Sequence, residues 1–259
     1  MRGRGLGLLI GACLLFAVGP VVAMVVAQAG YAGAVAPLRV LGDPLILRAI
    51  GLSLATATAA AAAALVVAVP AAYGLARHPF PGRGVIDLLC DLPVVLSPVA
   101  LGVSLLLLFR SVPGRWVEEH LVRFVFEIPG IWLAQFVVAT ALSIRVLRAA
   151  FQQLDVRYEQ VARFLGCTPW GAFRHVALPL VGRSLVAAFI LGWARAVGEF
   201  GATVTLAGAV AGRTETIPVA IYLRLSQADT VGATALILLL SGIGLGALAL
   251  VRRLGRGLG

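Results

Sequence analysis

The sequence predicts an all-α integral membrane protein with six transmembrane helices. Three observations carry that reading. Apolar residues make up 61% of the 259 positions and charged residues only 12%, a balance outside the range of soluble domains. The apolar residues gather into six runs, 6–27, 45–76, 88–109, 131–147, 180–206 and 231–251, each near or above the roughly 20 residues that cross a bilayer as a helix. The arginines between the runs divide unevenly when alternate intervals are compared, as the positive-inside rule requires.

The first run follows Arg2 and Arg4. Ala27-Gln28-Ala29 resembles a signal-peptide cleavage site. The run is nevertheless longer than the roughly 7–15-residue core of a signal peptide, so a retained span is expected. The second run has an alanine-rich centre, 56–64, with little side-chain bulk to keep neighbouring helices apart. Residues 77–83, Arg-His-Pro-Phe-Pro-Gly-Arg, read as a stiff basic turn. In the third run Pro93 and Pro98 flank Ser97. Each proline removes a helical hydrogen bond, and in lipid the freed carbonyls must be met by protein, water or ligand. A kinked helix and a widened stretch lining a polar path both satisfy that requirement.

The interval 110–130 mixes charges and has an amphipathic middle, 116–126, expected at the outer surface. The fourth run, 131–147, is bounded by Arg145 and Arg148, and the chain closes on Arg252, Arg253 and Arg256. With the N-terminus inside, thirteen arginines fall in the cytoplasm and seven outside, with Arg195 within a span. Both termini are therefore expected to be cytoplasmic. We expect residues 1–44 to form an N-terminal span and external loop, and 45–253 to form a single membrane domain.

Residues 154–179 are the longest polar interval in the C-terminal half, and on this orientation they are cytoplasmic. Asp155 can accept bonds from the free N–H groups that open a helix over about 156–165, which Gly166 ends. Thr168-Pro169 supplies a second start, and Pro179 is expected to begin a third helix because it lacks an N–H. Ala162 and Gly166, four apart, should share one nearly bare face. Arg157, Arg163 and Arg174 surround that face with charge. An amphipathic linker on anionic headgroups and a docking knob for another protein are the two physical readings.

Arg195 and Glu199 lie within the fifth run, four apart and so on one helical face. Each ionised group at the bilayer centre costs about 2.5–3.5 kcal/mol, so the two are expected to pair or to be wetted. Arg195 could also border a path for an anion, with Glu199 holding its orientation. Gly198 and Gly201 would permit a close helix crossing beside them.

All 21 basic residues are arginine. Without lysine there is no P-loop and no Schiff-base chemistry, so the chain cannot hydrolyse ATP by the usual route. Cys13, Cys90 and Cys167 lie far apart, and His78, His120 and His175 show no metal-ligand spacing. No catalytic cluster and no cofactor of its own are expected.

Gln160-Val161-Ala162, then Gly166, then Val176-Ala177-Leu178-Pro179, resembles the EAA–G–I-x-LP signature of ABC-importer permeases. Gln160 stands at the consensus glutamate with Glu159 one place earlier, and Val176 replaces isoleucine. The runs 195–203, 212–218 and 221–222 resemble the molybdate-transporter permease subfamily, as does 93–98, with Ser97 where a proline is common. The likeness covers about residues 45–250; sulfate and tungstate relatives are close.

The resemblance implies a type I ABC importer permease fold with cytoplasmic coupling helices, in a multi-pass protein of the cytoplasmic (inner) membrane. It implies a homodimer, two cytoplasmic ATPase subunits carrying ATP and Mg, and an extracytoplasmic oxyanion-binding protein, with no nucleic acid. Glu159, Gln160, Ala162, Gly166, Leu178 and Pro179 would couple to the ATPase. Ser97, Pro98, Arg195, Glu199 and Thr203 would border the translocation path. The cargo would be molybdate or tungstate, with sulfate or thiosulfate, or an ATPase-independent secondary anion transporter, as alternatives.

Overall fold

The computed structural model describes residues 2–33 and 40–256, with side chains described from 9 to 33 and from 40 to 253. Arg39 and the side chains of Arg2, Arg4 and Arg256, used above to assign orientation, lie outside the described residues. The described residues form helices and the turns between them, with no strand.

Helix α1 (Arg2–Ala32) is strongly apolar from Leu9 onward and rests on the last helix, where the Tyr31 hydroxyl meets Thr230 Oγ1 at 2.8 Å. Helix α2 (Pro44–Arg77) begins on Pro44, and the side chain of Asp43 accepts from the Leu45 N–H at 2.9 Å. Its 34 residues make it roughly 50 Å long at about 1.5 Å per residue. The alanine stretch does what its small side chains allow. Ala57 and Ala64 pack against Ala139, Ala196 and Val197, while Ala68, Ala72 and Leu75 pack against Ile144, Leu147 and Phe151. The core is therefore α2 laid against α6 (Ile128–Gln153) and α10 (Gly182–Val197).

The third run is not one helix. Helix α3 (Arg83–Val95) and helix α4 (Pro98–Arg110) meet at 116°. The turn falls at Leu96 and Ser97, both extended, because the residue before a proline is pushed out of the helical region. Helix α3 buries none of its residues and is tied to α6 through Arg148, which pairs with Asp87 and reaches Asp91 at 3.6 Å. The amphipathic interval also differs from expectation. Helix α5 (Val112–His120) ends six residues before Phe126, and the chain then turns, with Phe126 at φ 59° and Phe124 stacked on Phe109.

The fifth run breaks as well. Helix α10 stops at Val197, and a separate short helix α11 runs Gly201–Ala207. A loop and helix α12 (Ile217–Ser226) follow, and α13 (Thr230–Arg256) closes the chain against α1, α10 and α12. Among the described residues four helices are long and apolar enough to cross a membrane, and six spans result if each of two bent pairs counts as one.

Candidate functional site

Two regions collect the residues singled out by sequence. The first is the elbow between α6 and α10. Asp155 Oδ1 accepts from the Arg157 N–H at 2.9 Å and opens α7 (Arg157–Phe164). Gly166 sits at φ +93°, a backbone region that favours glycine, and ends it. Thr168 Oγ1 accepts from the Gly171 N–H at 3.0 Å and opens α8 (Pro169–Ala172).

Pro179 stands in the first turn of a short helix, as expected, but that helix runs on without a gap from the turn before it. The chain continues through a π-helical turn, Phe173–Ala177, into α9 (Leu178–Leu180), and the break comes at Val181. The Leu178 N–H reaches back five residues to the Phe173 carbonyl. That wider turn accommodates the ring and the missing N–H of Pro179.

The face holding Ala162 and Gly166 is not bare as expected. Ala162 is only 9% exposed and turns towards the bundle, whereas a Cβ on Gly166 would meet no atom within 4 Å. The reason is that α7 lies on the π turn and buries its Glu159–Ala162 side there. Large apolar side chains occupy the outward face: Val161, Phe164 (90% exposed), Leu165 and Trp170. The one-residue step between Glu159 and Gln160 separates inside from outside. Glu159 is buried, accepting from the Tyr73 hydroxyl at 2.6 Å and from Arg77 Nε at 2.9 Å, while Gln160 is exposed. Leu178 packs on the core and Pro179 is exposed.

The second region lies where α11 crosses α4. A Cβ on Gly201 would stand 2.7 Å from the Pro98 Cβ, and one on Gly102 would stand 2.7 Å from the Thr205 Cβ, so the backbones approach as only glycine permits. Gly198 makes no comparable approach to another helix. Ser97 caps α4 through the Ala100 N–H at 3.3 Å. Glu199 occupies the break between α10 and α11. Its Oε1 accepts from the Ala202 N–H at 2.9 Å, and its Oε2 lies 2.7 Å from Arg195 Nη1 without hydrogen-bond alignment. Glu199 and Thr203 have no exposed surface, and Thr203 Oγ1 has no partner. Ser97 and Pro98 are exposed, and the Arg195 side chain keeps 38% exposure. Ser97, Pro98 and Arg195 thus border open space, while Glu199 and Thr203 stand behind them.

Sequence reasoning missed Gln135, Tyr73 and Arg77 as partners in these regions. Gln135 on α6 is fully buried with neither amide atom partnered. Gly192 faces Ser143, Ala196 packs with Ala139, and Ala202 packs with Ala134 and Val138, so Gln135 lies on the stretch of α6 that meets the end of α10 and the start of α11. Its signal was legible as the one amide inside the run 131–147. Among the described residues no group of histidine, cysteine or carboxylate side chains could hold a metal ion.

Residues 64–259 match the family model described as binding-protein-dependent transport system inner membrane component. The Molybdenum transport system permease protein ModB of Haemophilus influenzae is 36% identical over 179 residues, covering 68% of this chain and 78% of that protein. The Sulfate transport system permease protein CysW of Escherichia coli is 34% identical over 231 residues, covering 88% and 78%. Among solved structures, a bacterial alginate ABC transporter chain superposes with a TM-score of 0.74 at 17% identity, over 97% of this chain and 93% of that one. The last likeness is one of fold.

Proposed function

The chain belongs to the family of binding-protein-dependent transport system inner membrane components and has the type I importer permease fold, and on that premise we propose that its cargo is molybdate or tungstate. In this reading two copies form the membrane channel. Two cytoplasmic ATPase subunits, holding ATP and Mg, dock on the outward face of α7 and α8 around Gln160, Gly166 and Trp170. An extracytoplasmic binding protein delivers the anion to the opposite side, and the termini and the elbow are cytoplasmic, in the inner membrane.

The observation that carries the cargo class is Arg195, a partly exposed cation held by a fully buried carboxylate at a helix break within the membrane region. A fixed, oriented guanidinium beside open space lowers the electrostatic barrier to an anion and raises it for a cation. Energy input follows from the same charge. A dianion entering against an inside-negative potential must climb about 4.6 kcal/mol per 100 mV, twice the single-charge value, so passive entry would leave the cell depleted of it. ATP-driven closure of the partners would push the α7–α8 elbows together and rock the spans between inward- and outward-facing states.

A sulfate permease is the second reading, favoured by CysW, which is similar over more of the chain than ModB is. Competition uptake separates the two. Cells carrying the complete system should take up radiolabelled molybdate, with unlabelled molybdate or tungstate competing at far lower concentration than sulfate. If sulfate competes equally well, the cargo is the broader oxyanion class and the molybdate reading fails.

A further inference from the structure

Helix α7 packs on the π turn and on α8. A cavity of about 550 Å³ lies between it and the end of α2, lined by Gly74 and Arg77 of α2, Glu159 and Arg163 of α7, and Trp170 of α8. What crosses that gap is polar. Glu159 accepts from Tyr73 and Arg77, both on the last turns of α2, and Arg77 Nη2 also donates to the Leu154 carbonyl at 2.7 Å, where α6 ends. The Arg77 and Glu159 side chains are each only 9% exposed. The Tyr73 ring is held from two further sides, by Phe151 of α6 at 5.4 Å and by Phe173 of the π turn at 4.6 Å.

We propose that Tyr73, Arg77 and Glu159 form a strut that stays closed throughout the transport cycle and fixes α7 to α2, making Glu159 a positioning residue for force transmission. The inference rests on the importer reading above and adds the route by which force leaves α7. Opening the strut would part a carboxylate and a guanidinium that are both nearly buried, so α7 and α2 move together more readily than they separate. Helix α2 then acts as the lever. Its middle lies on α6 and α10, and its far end is tied to α12, where Asp43 meets Arg224 at 2.6 Å and Ser53 Oγ accepts from the Ile217 N–H at 2.7 Å. Gln160, one residue on, is left free to face a partner.

The test uses the complete complex of chain, ATPase subunits and binding protein in proteoliposomes, and reads anion taken up per ATP hydrolysed. Glu159→Gln should lower that ratio by about tenfold while subunit association and the ATPase rate persist. Tyr73→Phe, which removes one hydroxyl and keeps the ring packed, should lower it by about threefold. Bridging Tyr73→Cys to Glu159→Cys with a short bifunctional thiol reagent, in a background with Cys13, Cys90 and Cys167 replaced by serine, should restore the ratio. An unchanged ratio in both single variants overturns the strut, as does a bridged complex that no longer transports, since the link must then open. Absence of ATP-driven uptake in the unsubstituted complex would overturn the importer reading first and the strut with it.

Discussion

Glu199 has no exposed surface, whereas the Arg195 side chain beside it reaches open space. The pair is therefore asymmetric. Arg195→Gln leaves a buried carboxylate without its counter-charge, the situation that costs about 3–5 kcal/mol. Glu199→Gln leaves an arginine that water can reach, so the loss should be distinctly smaller. Thermal midpoints of the detergent-solubilised protein should fall further for Arg195→Gln, and the double variant should recover part of the difference; equal losses would show that both charges are equally buried. The α4–α11 crossing is sensitive in another way. Gly201→Val would drive a side chain into Pro98, and overpacking of this kind costs about 1–3 kcal/mol. At the opposite end of α2 the Asp229 carboxyl is held below the usual carboxylate range, first by the Gly232 N–H and then by Arg224. Its contribution is present above the ordinary aspartate value near pH 3.9 and is lost as the pH falls through the lowered folded value. Amide protection at 224–233, taken relative to the intrinsic exchange rate at each pH, should therefore be steady from about pH 7 to 5 and fall only in stronger acid. At this scale the spacing of four in Arg195 and Glu199 made their pairing legible. The direction of Glu159 was not, because neighbouring positions differ by about 100° and only packing against the π turn decides which one points inwards.

Helix α7 depends on one backbone feature, the left-handed Gly166 that separates it from α8. Because a Cβ there would find open space, Gly166→Val acts through backbone strain alone, of the order of 1–2 kcal/mol. On the proposed importer reading, the expected outcome is a protein that still inserts and associates with the ATPase subunits, which then hydrolyse ATP with little uptake. Normal uptake per ATP in this variant would count against docking at the elbow. The polar interval, its caps at Asp155 and Thr168 and its stop at Gly166 could all be read from residue type, since each rests on local chemistry. The behaviour at Pro93, Pro98 and Pro179 could not. Two prolines around Ser97 announce a break but not whether the chain kinks or turns through 116°; that depends on α4 packing on α11 while Arg148 of α6 holds α3. Pro179 looked like a start because an ordinary α-turn has no room for it; the π turn supplies that room. The short helix α11 was hidden inside one long, mostly apolar run, where Arg195 and Glu199 were read as a pair on one helical face rather than as a sign of the break at Gly198.

Across the whole molecule, composition identified a membrane bundle of six apolar runs and the arginine distribution proposed its orientation, while the bends that divide two of the spans came only with the fold. Helices α1 and α3 leave Leu15, Phe16, Leu88 and Val95 exposed, and the elbow leaves Phe164 and Leu165 exposed. The first set suits lipid or a second copy. The second lies on a short helix flanked by Arg157 and Arg163, a surface suited to a protein partner. A chain without lysine has no P-loop of its own, so in the proposed importer the energy of ATP arrives from outside it. The direct measurement is uptake of labelled molybdate into proteoliposomes holding this chain, with and without its ATPase subunits, under constant binding protein and ATP. Accumulation only when the ATPase subunits are present is the predicted result. Accumulation by the chain alone, driven by an ion gradient, would contradict it.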